Sequence, residues 1–461
     1  MASRYAKQTF LFTCMAVVAL SLSSEANAQN NGFNNGFTGG FNRVVGGVMV
    51  DAEGVVRGEQ TKLADTDLKK IREGLKVADA DVAQDTSLRL ISLRGLEAAV
   101  TKAFDAGEPL SADVQYMAGL QRLEYVILSP ETNDIILAGP GEGWTTNDDG
   151  TVVGKKSGMP VLHLQDFMVA MRSVDAARQG SGVSVSIDPT KEGTQRVQAI
   201  YDRIARERIT HVSVEMQREI EKASGQQTVS LTGVPRDSHF SRVLLTADYK
   251  MKRIAMGLDK SPIRQLPSMM SIIARKRVNL KRAMPRMWIE CNYEPVAKSA
   301  DNNIWKIAGS GVAVQTEDQI ADALGQLKGT GKKLKVAEDW AKSMTKHYEK
   351  LSAEVPVFRD LRNVMDMSVI AAIVRNEHLL SKVGLELSMI GGKLPTPTYA
   401  VPESIPAQCS VADSYAVQVS GGVLVDSWGA AQNTVVDEKL TEVAAVAKVA
   451  TADRWWWNAK Q

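Results

Sequence analysis

The chain has 461 residues, with 55 lysines and arginines, 53 aspartates and glutamates, and a net charge of +2. Hydrophobic residues make up 44% and charged residues 23%, a composition that is typical of globular proteins and excludes a wholly disordered or fibrous chain. The near-neutral charge excludes long-range attraction of the whole molecule to nucleic acid, and the length exceeds the roughly 250–300 residues that one core usually serves.

The first 28 residues have the three-part layout of a secretory signal peptide. Arg4 and Lys7 precede an apolar run over residues 10–22, and the small residues Ala26 and Ala28 follow it. A run of this length is too short to span a bilayer as a helix. We therefore expect cleavage near Ala28 and a mature protein that is periplasmic or extracellular, with an uncleaved N-terminal anchor as the alternative.

The segments after the signal differ in composition. Residues 29–43 are rich in Asn, Gly and Phe and have no helical or strand period, which predicts a disordered spacer. Residues 44–190 predict a mixed α/β domain. Its expected elements are a hairpin from Val44, helices near 66–76, 92–104 and 164–174, and strands near 123–128, 134–137 and 183–187.

Residues 191–390 predict a helix-rich α/β domain. The expected helices are near 190–208, 211–223, 237–257, 266–284, 317–327, 335–353 and 356–383, and the strands are near 227–232, 286–290 and 311–315. The last helix is apolar almost all round between Val364 and Val374, which indicates a buried central helix. Asp366 lies inside that run, as either a hydrogen-bonded core acid or a functional carboxylate.

The chain ends in a Pro/Gly linker and a short tail. Residues 391–408 contain four prolines and two glycines, and residues 409–461 predict strands, an amphipathic helix near 436–450 and a Trp455–Trp457 cluster that docks on the protein. The sequence GGVLVD at 421–426 agrees with GGVMVD at 46–51 in all but one residue. This agreement indicates either two strands of one sheet or chance. The fold class predicted for the whole chain is α+β, with a β-rich N-terminal part.

Two cysteines remain after the signal, because Cys14 lies in the apolar run. Cys291 and Cys409 either form a disulfide, which the expected compartment permits, or stay as buried thiols. Neither the cysteines nor the five histidines have the spacing of metal ligands. We therefore predict no metal and no cofactor.

The densest group of reactive side chains lies in the sequence GVPRDSHFSR at 233–242. Asp237, Ser238 and His239 are the residue types of a nucleophilic triad. Consecutive residues at a helix start point in different directions, however, so a capped helix is the favoured reading. A mixed site that joins His239 with His163, His211 or a distant acid remains open.

A basic segment runs from Arg242 to Arg286, where 12 basic residues face only Asp248 and Asp259. Such a surplus either meets acids elsewhere in the fold or contacts an anionic partner. Clustered aromatic residues that would stack on bases are missing, which argues against nucleic acid. The candidate binding residues are Arg242, Lys250, Lys252, Arg253, Arg275, Lys276, Arg277, Lys281 and Arg282.

Several strings resemble an uncharacterised family of secreted planctomycete proteins, a domain of unknown function. They are PETNDIILAGPGEGW, VSIDPTKEG, GVPRDSHFSRVLLTADYKMKR, CNYEPV and LRNVMDMSVIAAI. The likeness as a whole covers about residues 44–425. The resemblance implies an exported protein without a recognised enzyme relative. It implies no catalytic residues.

These observations favour an exported, non-catalytic binding or scaffolding protein of the cell envelope. Its basic segment would contact an anionic envelope component or an acidic protein. The alternative is an exported hydrolase with a site around His239. The sequence has no later apolar run long enough for a transmembrane helix, and it does not indicate an oligomeric state.

Overall fold

The computed structural model of the protein describes residues 44–45, 48–50, 56–57, 65–75, 80–180, 182–278, 284–322, 324–412, 415–443 and 454–459. The expected signal peptide and spacer lie outside these ranges. None of the described helices has both the length and the apolar character needed to cross a membrane.

The described part of the chain contains the following strands: β1 Val44–Val45, β2 Val48–Val50, β3 Val56–Arg57, β4 Thr86–Ser92, β5 Tyr125–Ser129, β6 Asp134–Gly141, β7 Trp144–Thr146, β8 Val152–Gly154, β9 Val183–Pro189, β10 Gln226–Thr232, β11 Met284–Asn292, β12 Val296–Lys298, β13 Ile304–Lys306, β14 Gly311–Ala321, β15 Leu327–Gly329, β16 Ser404–Pro406, β17 Ser410–Ala412, β18 Tyr415–Val417, β19 Ser420–Val425, β20 Thr434–Val436 and β21 Trp456–Asn458.

The α-helices of the same ranges are α1 Asp65–Gly74, α2 Leu93–Ala106, α3 Ala112–Gln115, α4 Leu164–Gln179, α5 Lys191–Arg206, α6 Val214–Ser224, α7 His239–Met256, α8 Met269–Lys276, α9 Lys335–Lys346, α10 Tyr348–Glu354, α11 Pro356–Asn376, α12 Leu379–Lys382 and α13 Ser427–Gln432. Helices and strands both contribute large parts of the fold, so the predicted α+β class with a β-rich N-terminal part is confirmed.

Two seven-stranded sheets organise the fold. The strand order is β15-β14-β11-β19-β9-β10-β16 in one sheet and β20-β12-β13-β5-β6-β4-β21 in the other. Neighbouring strands are antiparallel except for two pairs, β11 with β19 and β12 with β20. Each of the two sheets contains strands from before residue 190 and strands from after residue 409. The segments 44–190 and 409–461, which the sequence analysis treated separately, therefore share both sheets.

Helix α11 lies at the centre of the main core and packs against α4, α7 and α13. All its residues from Val357 to Val374 are buried, as the apolar pattern predicts. Asp366 is fully buried and accepts hydrogen bonds from Arg122 Nε at 2.7 Å and the Tyr293 hydroxyl at 2.7 Å. It is therefore a hydrogen-bonded core acid.

Two sequence expectations about these elements were wrong. The helix expected near 317–327 is part of β14, because nine residues of this strand pair with β11 from Gly311 to Gln319. The helix expected near 266–284 is the shorter α8, followed by Arg277 with a left-handed backbone. Of the two alternatives for the similar GGV strings, chance agreement is the one that fits, since β2 belongs to a three-stranded sheet and β19 to a seven-stranded one.

The tryptophan cluster at the C-terminus docks on the protein, as expected. Strand β21 pairs with β4, and Trp456 and Trp457 are buried. Part of the amphipathic helix expected near 436–450 lies outside the described ranges.

Candidate functional site

Two helix N-termini meet at a cluster of histidine and aspartate side chains. His163 directly precedes α4, Asp166 lies in the first turn of α4, and His239 is the first residue of α7. The Ser238 hydroxyl accepts a hydrogen bond from the Ser241 backbone N–H and so caps α7. The cap fixes where α7 starts and directs His239 towards α4.

The three side chains are close to one another. Nδ1 of His239 lies 2.8 Å from Oδ2 of Asp166. The rings of His163 and His239 stack, with centroids 4.9 Å apart and planes 15° apart. Asp166 is 4% exposed and His239 is 9% exposed, whereas His163 is half-buried and links the cluster to solvent.

Polar and aromatic neighbours hold these rings in place. Gln165 Nε2 lies 3.3 Å from Nδ1 of His163 and 3.0 Å from the Tyr399 hydroxyl. The Tyr399 ring packs edge-on against His239, with centroids 5.2 Å apart. The Tyr399 backbone N–H donates to the Asp237 carbonyl at 2.7 Å. This hydrogen bond attaches the Pro/Gly linker of residues 391–408 directly to the start of α7.

Burial and charge shift the pKa values of this cluster in different directions. Burial and the neighbouring His239 lower the pKa of His163 to about 4. Burial alone would lower the pKa of His239, but the charge and hydrogen bond of Asp166 outweigh it and raise that pKa. Burial, opposed by His239, raises the pKa of the nearby Asp360 carboxyl to about 7. Near neutral pH, His163 is therefore the neutral imidazole of the pair.

The structure does not assemble a triad from Asp237, Ser238 and His239. The Ser238 hydroxyl donates to the Pro235 carbonyl at 2.7 Å and caps α7. The acid bonded to His239 is Asp166. The mixed site that the sequence left open is thus formed with His163 and a distant acid, while His211 is exposed on another part of the surface.

Four of the candidate binding residues lie on α7 and point into the protein. Arg242 is fully buried and donates to the Ala400 carbonyl at 2.9 Å, and burial lowers its pKa to about 10. Lys252 is 4% exposed, and its ammonium donates to Asp248 and to the carbonyls of Ile187 and Gly421. These two residues are not part of an exposed basic face.

Lys250 and Arg253 are half-buried and share Asp259. Lys250 Nζ lies 3.3 Å from Asp259 Oδ2, and Arg253 makes two hydrogen bonds to Asp259 Oδ1 at 2.9 and 2.7 Å. Arg253 Nη1 also donates to Gln408 Oε1 at 2.7 Å. Much of the positive charge of α7 is therefore paired within the fold.

A recess opens beside these paired charges, and we call it the basic recess. Its polar lining consists of Gln227, Tyr249, Lys252, Arg253 and Gln408, and apolar side chains complete the wall. With its open mouth it measures about 300 Å³. Its enclosed part is only about large enough for one water-sized group, and the rest of the space is open to solvent.

The remaining candidate binding residues lie elsewhere. Arg275, Lys276 and Arg277 are exposed at the end of α8. Lys281 and Arg282 lie outside the described ranges.

The cysteines do not form the disulfide that the sequence allowed. Both Cys291 and Cys409 are free thiols. Cys409 is buried near Gln217 and Glu221 of α6, whereas Cys291 lies on β11. The two thiols belong to different parts of the core, and the expectation of buried free thiols holds for Cys409.

Comparison with known proteins gives one match. Residues 185–269 match the family described as a protein of unknown function (DUF1598). No curated protein and no solved structure matches the chain. The matched segment runs from β9 to the start of α8 and contains His239 and most of the basic recess, but not His163 or Asp166.

Sequence reasoning missed Asp166 as the partner of His239. The two residues are 73 positions apart, and no motif links them. The only available signal was that each lies in the first turn of a helix. The basic recess was missed for a different reason, because the strands and loops that complete its wall beside α7 are distant in sequence.

Proposed function

We propose that the protein is an exported, non-catalytic binding protein of the cell envelope, and that the basic recess holds a carboxylate or phosphate group of its anionic partner. The observation that carries the proposal is the convergence of Lys252, Arg253, Tyr249 and two glutamine amides on one recess. Most of these side chains belong to the segment that matches the family of unknown function.

The charges around the recess favour an anion. Lys250, Lys252 and Arg253 contribute three positive charges, against the carboxylates of Asp248, Asp259 and the neighbouring Asp188. Burial raises the pKa of Asp248 to about 7, so this carboxyl is partly protonated near neutral pH. The local balance is then positive, and the low-polarity wall strengthens its effect on a bound anion.

The hydrogen bonds define how an anion would be held. The Lys252 ammonium already has three acceptors, so it would act through its charge. The amides of Gln227 and Gln408 and the phenol of Tyr249 are the side chains that would donate to the anion. The small volume limits the bound part to one terminal group, with the rest of the partner outside.

Isothermal titration calorimetry with sodium phosphate and sodium acetate tests the proposal. Gln227→Leu replaces one donor by an apolar side chain of similar size, and the matched control is the surface variant Arg275→Gln with Lys276→Gln. We expect saturable binding that weakens about tenfold or more in Gln227→Leu, in line with the loss of one hydrogen bond to a charged group. Binding by neither anion, or a loss confined to the surface variant, would contradict the recess as the binding site.

The second candidate is a hydrolytic centre around His239. The hydrogen bond between His239 and Asp166 favours it, because a carboxylate orients and strengthens an imidazole base. Ser238 is engaged as a helix cap, so water would be the nucleophile. Hydrolysis of p-nitrophenyl acetate that disappears in His239→Gln and persists in His211→Gln would support this candidate.

A further inference from the structure

We propose that His163, Asp166 and His239 form a binding site for a divalent transition-metal ion such as Zn²⁺. One ligand atom from each of the three side chains lies within 4.8 Å of the other two. This site is separate from the basic recess and does not depend on the function proposed for it.

The donor set has the chemistry of a transition-metal site. Two imidazole nitrogens and one carboxylate oxygen suit Zn²⁺, Fe²⁺ and related ions, whereas Ca²⁺ and Mg²⁺ prefer oxygen ligands. Three protein ligands also leave at least one position for water. The half-buried His163 is the side from which an ion and its water would enter.

A second observation points to a cation at the same place. Oδ1 of Asp166 is buried and has no hydrogen-bond partner in the part of the chain that the structure describes. An unsatisfied buried acceptor costs about 1–3 kcal/mol, and more when it is charged. A metal ion bound to this oxygen would remove that cost.

The surroundings resemble the outer shell of a metal site. Metal-binding histidines are usually oriented by a hydrogen bond at the second ring nitrogen. Gln165 lies 3.3 Å from Nδ1 of His163, and Tyr399 in turn fixes Gln165. The amide can present either its NH₂ group or its oxygen to the ring, so it fits the ring with and without an ion.

The local charge has opposing parts. The N-termini of α4 and α7 and the buried Arg242 disfavour a cation. Asp166 and the nearby buried Asp360 favour it. With both carboxylates ionised, their two negative charges balance the charge of Arg242 and the partial charges of the two helix ends, each about half a unit.

Binding requires only a small rearrangement. A tetrahedral ion with bonds of about 2.1 Å holds its ligand atoms roughly 3.4 Å apart, while the three ligand atoms are at present within 4.8 Å. The hydrogen-bonded atoms of His239 and Asp166, 2.8 Å apart, would separate slightly and lose the proton between them, while the half-buried His163 ring completes the ligand set. With the ion bound, His239 is a ligand, and the hydrolytic candidate would use metal-bound water instead of His239 as base.

The test is calorimetric titration of ZnCl₂ into chelator-treated, tag-free protein, since a polyhistidine tag would itself bind the ion. We expect one Zn²⁺ per chain. Affinity should fall by more than about 100-fold in His163→Gln, Asp166→Asn and His239→Gln, because each removes a ligand, and by about 10–100-fold for the loss of an outer partner in Gln165→Leu. The matched control, His211→Gln, removes an exposed histidine and should leave the affinity unchanged.

A spectroscopic measurement covers the case in which a variant fails to fold. Co²⁺ added to the wild-type protein should give the intense visible absorption of a low-symmetry, four- or five-coordinate site, and Zn²⁺ should displace it. Absence of this absorption, no uptake of Zn²⁺ by folded wild type, or uptake that persists in His163→Gln with Asp166→Asn would overturn the proposal. Phosphate binding in the basic recess is measured separately, so either proposal can fail without the other.

Discussion

The carboxylate of Asp166 lies 2.8 Å from Nδ1 of His239, and these two residues, 73 positions apart in the sequence, join the first turns of two helices. Both side chains are buried. Removal of one member of such a pair leaves the other desolvated without its partner, which is the main energetic consequence of the arrangement.

We predict that Asp166→Ala lowers the free energy of unfolding by about 3 kcal/mol, because His239 then stays buried without an acceptor. Asp166→Asn should cost less, since the amide keeps the shape and one acceptor. Urea denaturation measures both. The control is Asp175→Asn, which breaks a surface pair with Arg375 and should cost less than about 1 kcal/mol. Equal small losses in all three would mean that the buried pair does not stabilise the fold.

The Asp248–Lys252 pair predicts an unusual dependence of stability on pH. Burial raises the folded-state pKa of Asp248 from 3.8 to about 7. Between these values the folded chain holds a proton that the unfolded chain has lost. This group therefore makes the protein less stable as pH rises from about 4 to about 7, with a slope of at most about 1.4 kcal/mol per pH unit.

Asp248→Asn removes that proton-binding difference. We expect the free energy of unfolding of wild type, minus that of Asp248→Asn, to fall as pH rises through this interval. Asp259→Asn is the opposite control, because its neighbours Arg253 and Lys250 lower the pKa of Asp259 against the effect of burial. Its contribution should be lost as pH falls. Urea denaturation at a series of pH values separates the two, and parallel curves for wild type and Asp248→Asn would contradict the first expectation.

Local patterns predicted the elements that surround the candidate site. The apolar period located α4, and the Pro-x-x-Ser sequence before His239 located the start of α7. The all-apolar run predicted that α11 is central and buried. These features depend on residues that are close together in the sequence, so they can be predicted from a single sequence.

The contacts that make the site depend on tertiary packing. The sequence showed the surplus of basic residues on α7. It could not show that Arg242 and Lys252 point inward, because a lysine can be buried only where distant strands provide acceptors for it. Those acceptors are the carbonyls of Ile187 and Gly421. The helix expected near 317–327 was wrong for the same reason, since pairing with β11 decides its conformation.

Gly421 of β19 lies close against the backbone of β11, its neighbour in one of the seven-stranded sheets. Its φ is +117°, and a Cβ there would lie 1.8 Å from the Met287 carbonyl oxygen. We predict that Gly421→Ala lowers the free energy of unfolding by more than about 3 kcal/mol, through both strain and collision. Gly392→Ala is the control, because a Cβ at that position meets nothing within 4 Å. Thermal unfolding of the two variants should differ clearly, and similar midpoints would mean that β19 and β11 separate easily.

Asn363 is a buried residue of α11, next to the buried Arg362 and about one turn before the buried Asp366. It is 3% exposed, and both its Oδ1 and its Nδ2 are buried without a hydrogen-bond partner among the residues that the structure describes. Replacement of a desolvated amide by an apolar group of similar size removes this cost without leaving a cavity. We therefore predict that Asn363→Leu raises the free energy of unfolding by about 1 kcal/mol.

Ser368→Ala on the same helix is the control for Asn363→Leu. The Ser368 hydroxyl donates to the Val364 carbonyl at 2.8 Å, so its loss should cost about 0.5–1 kcal/mol. Urea denaturation of both variants gives the sign of each change. A loss of more than about 1 kcal/mol in Asn363→Leu would contradict this prediction and mean that the Asn363 amide stabilises the core.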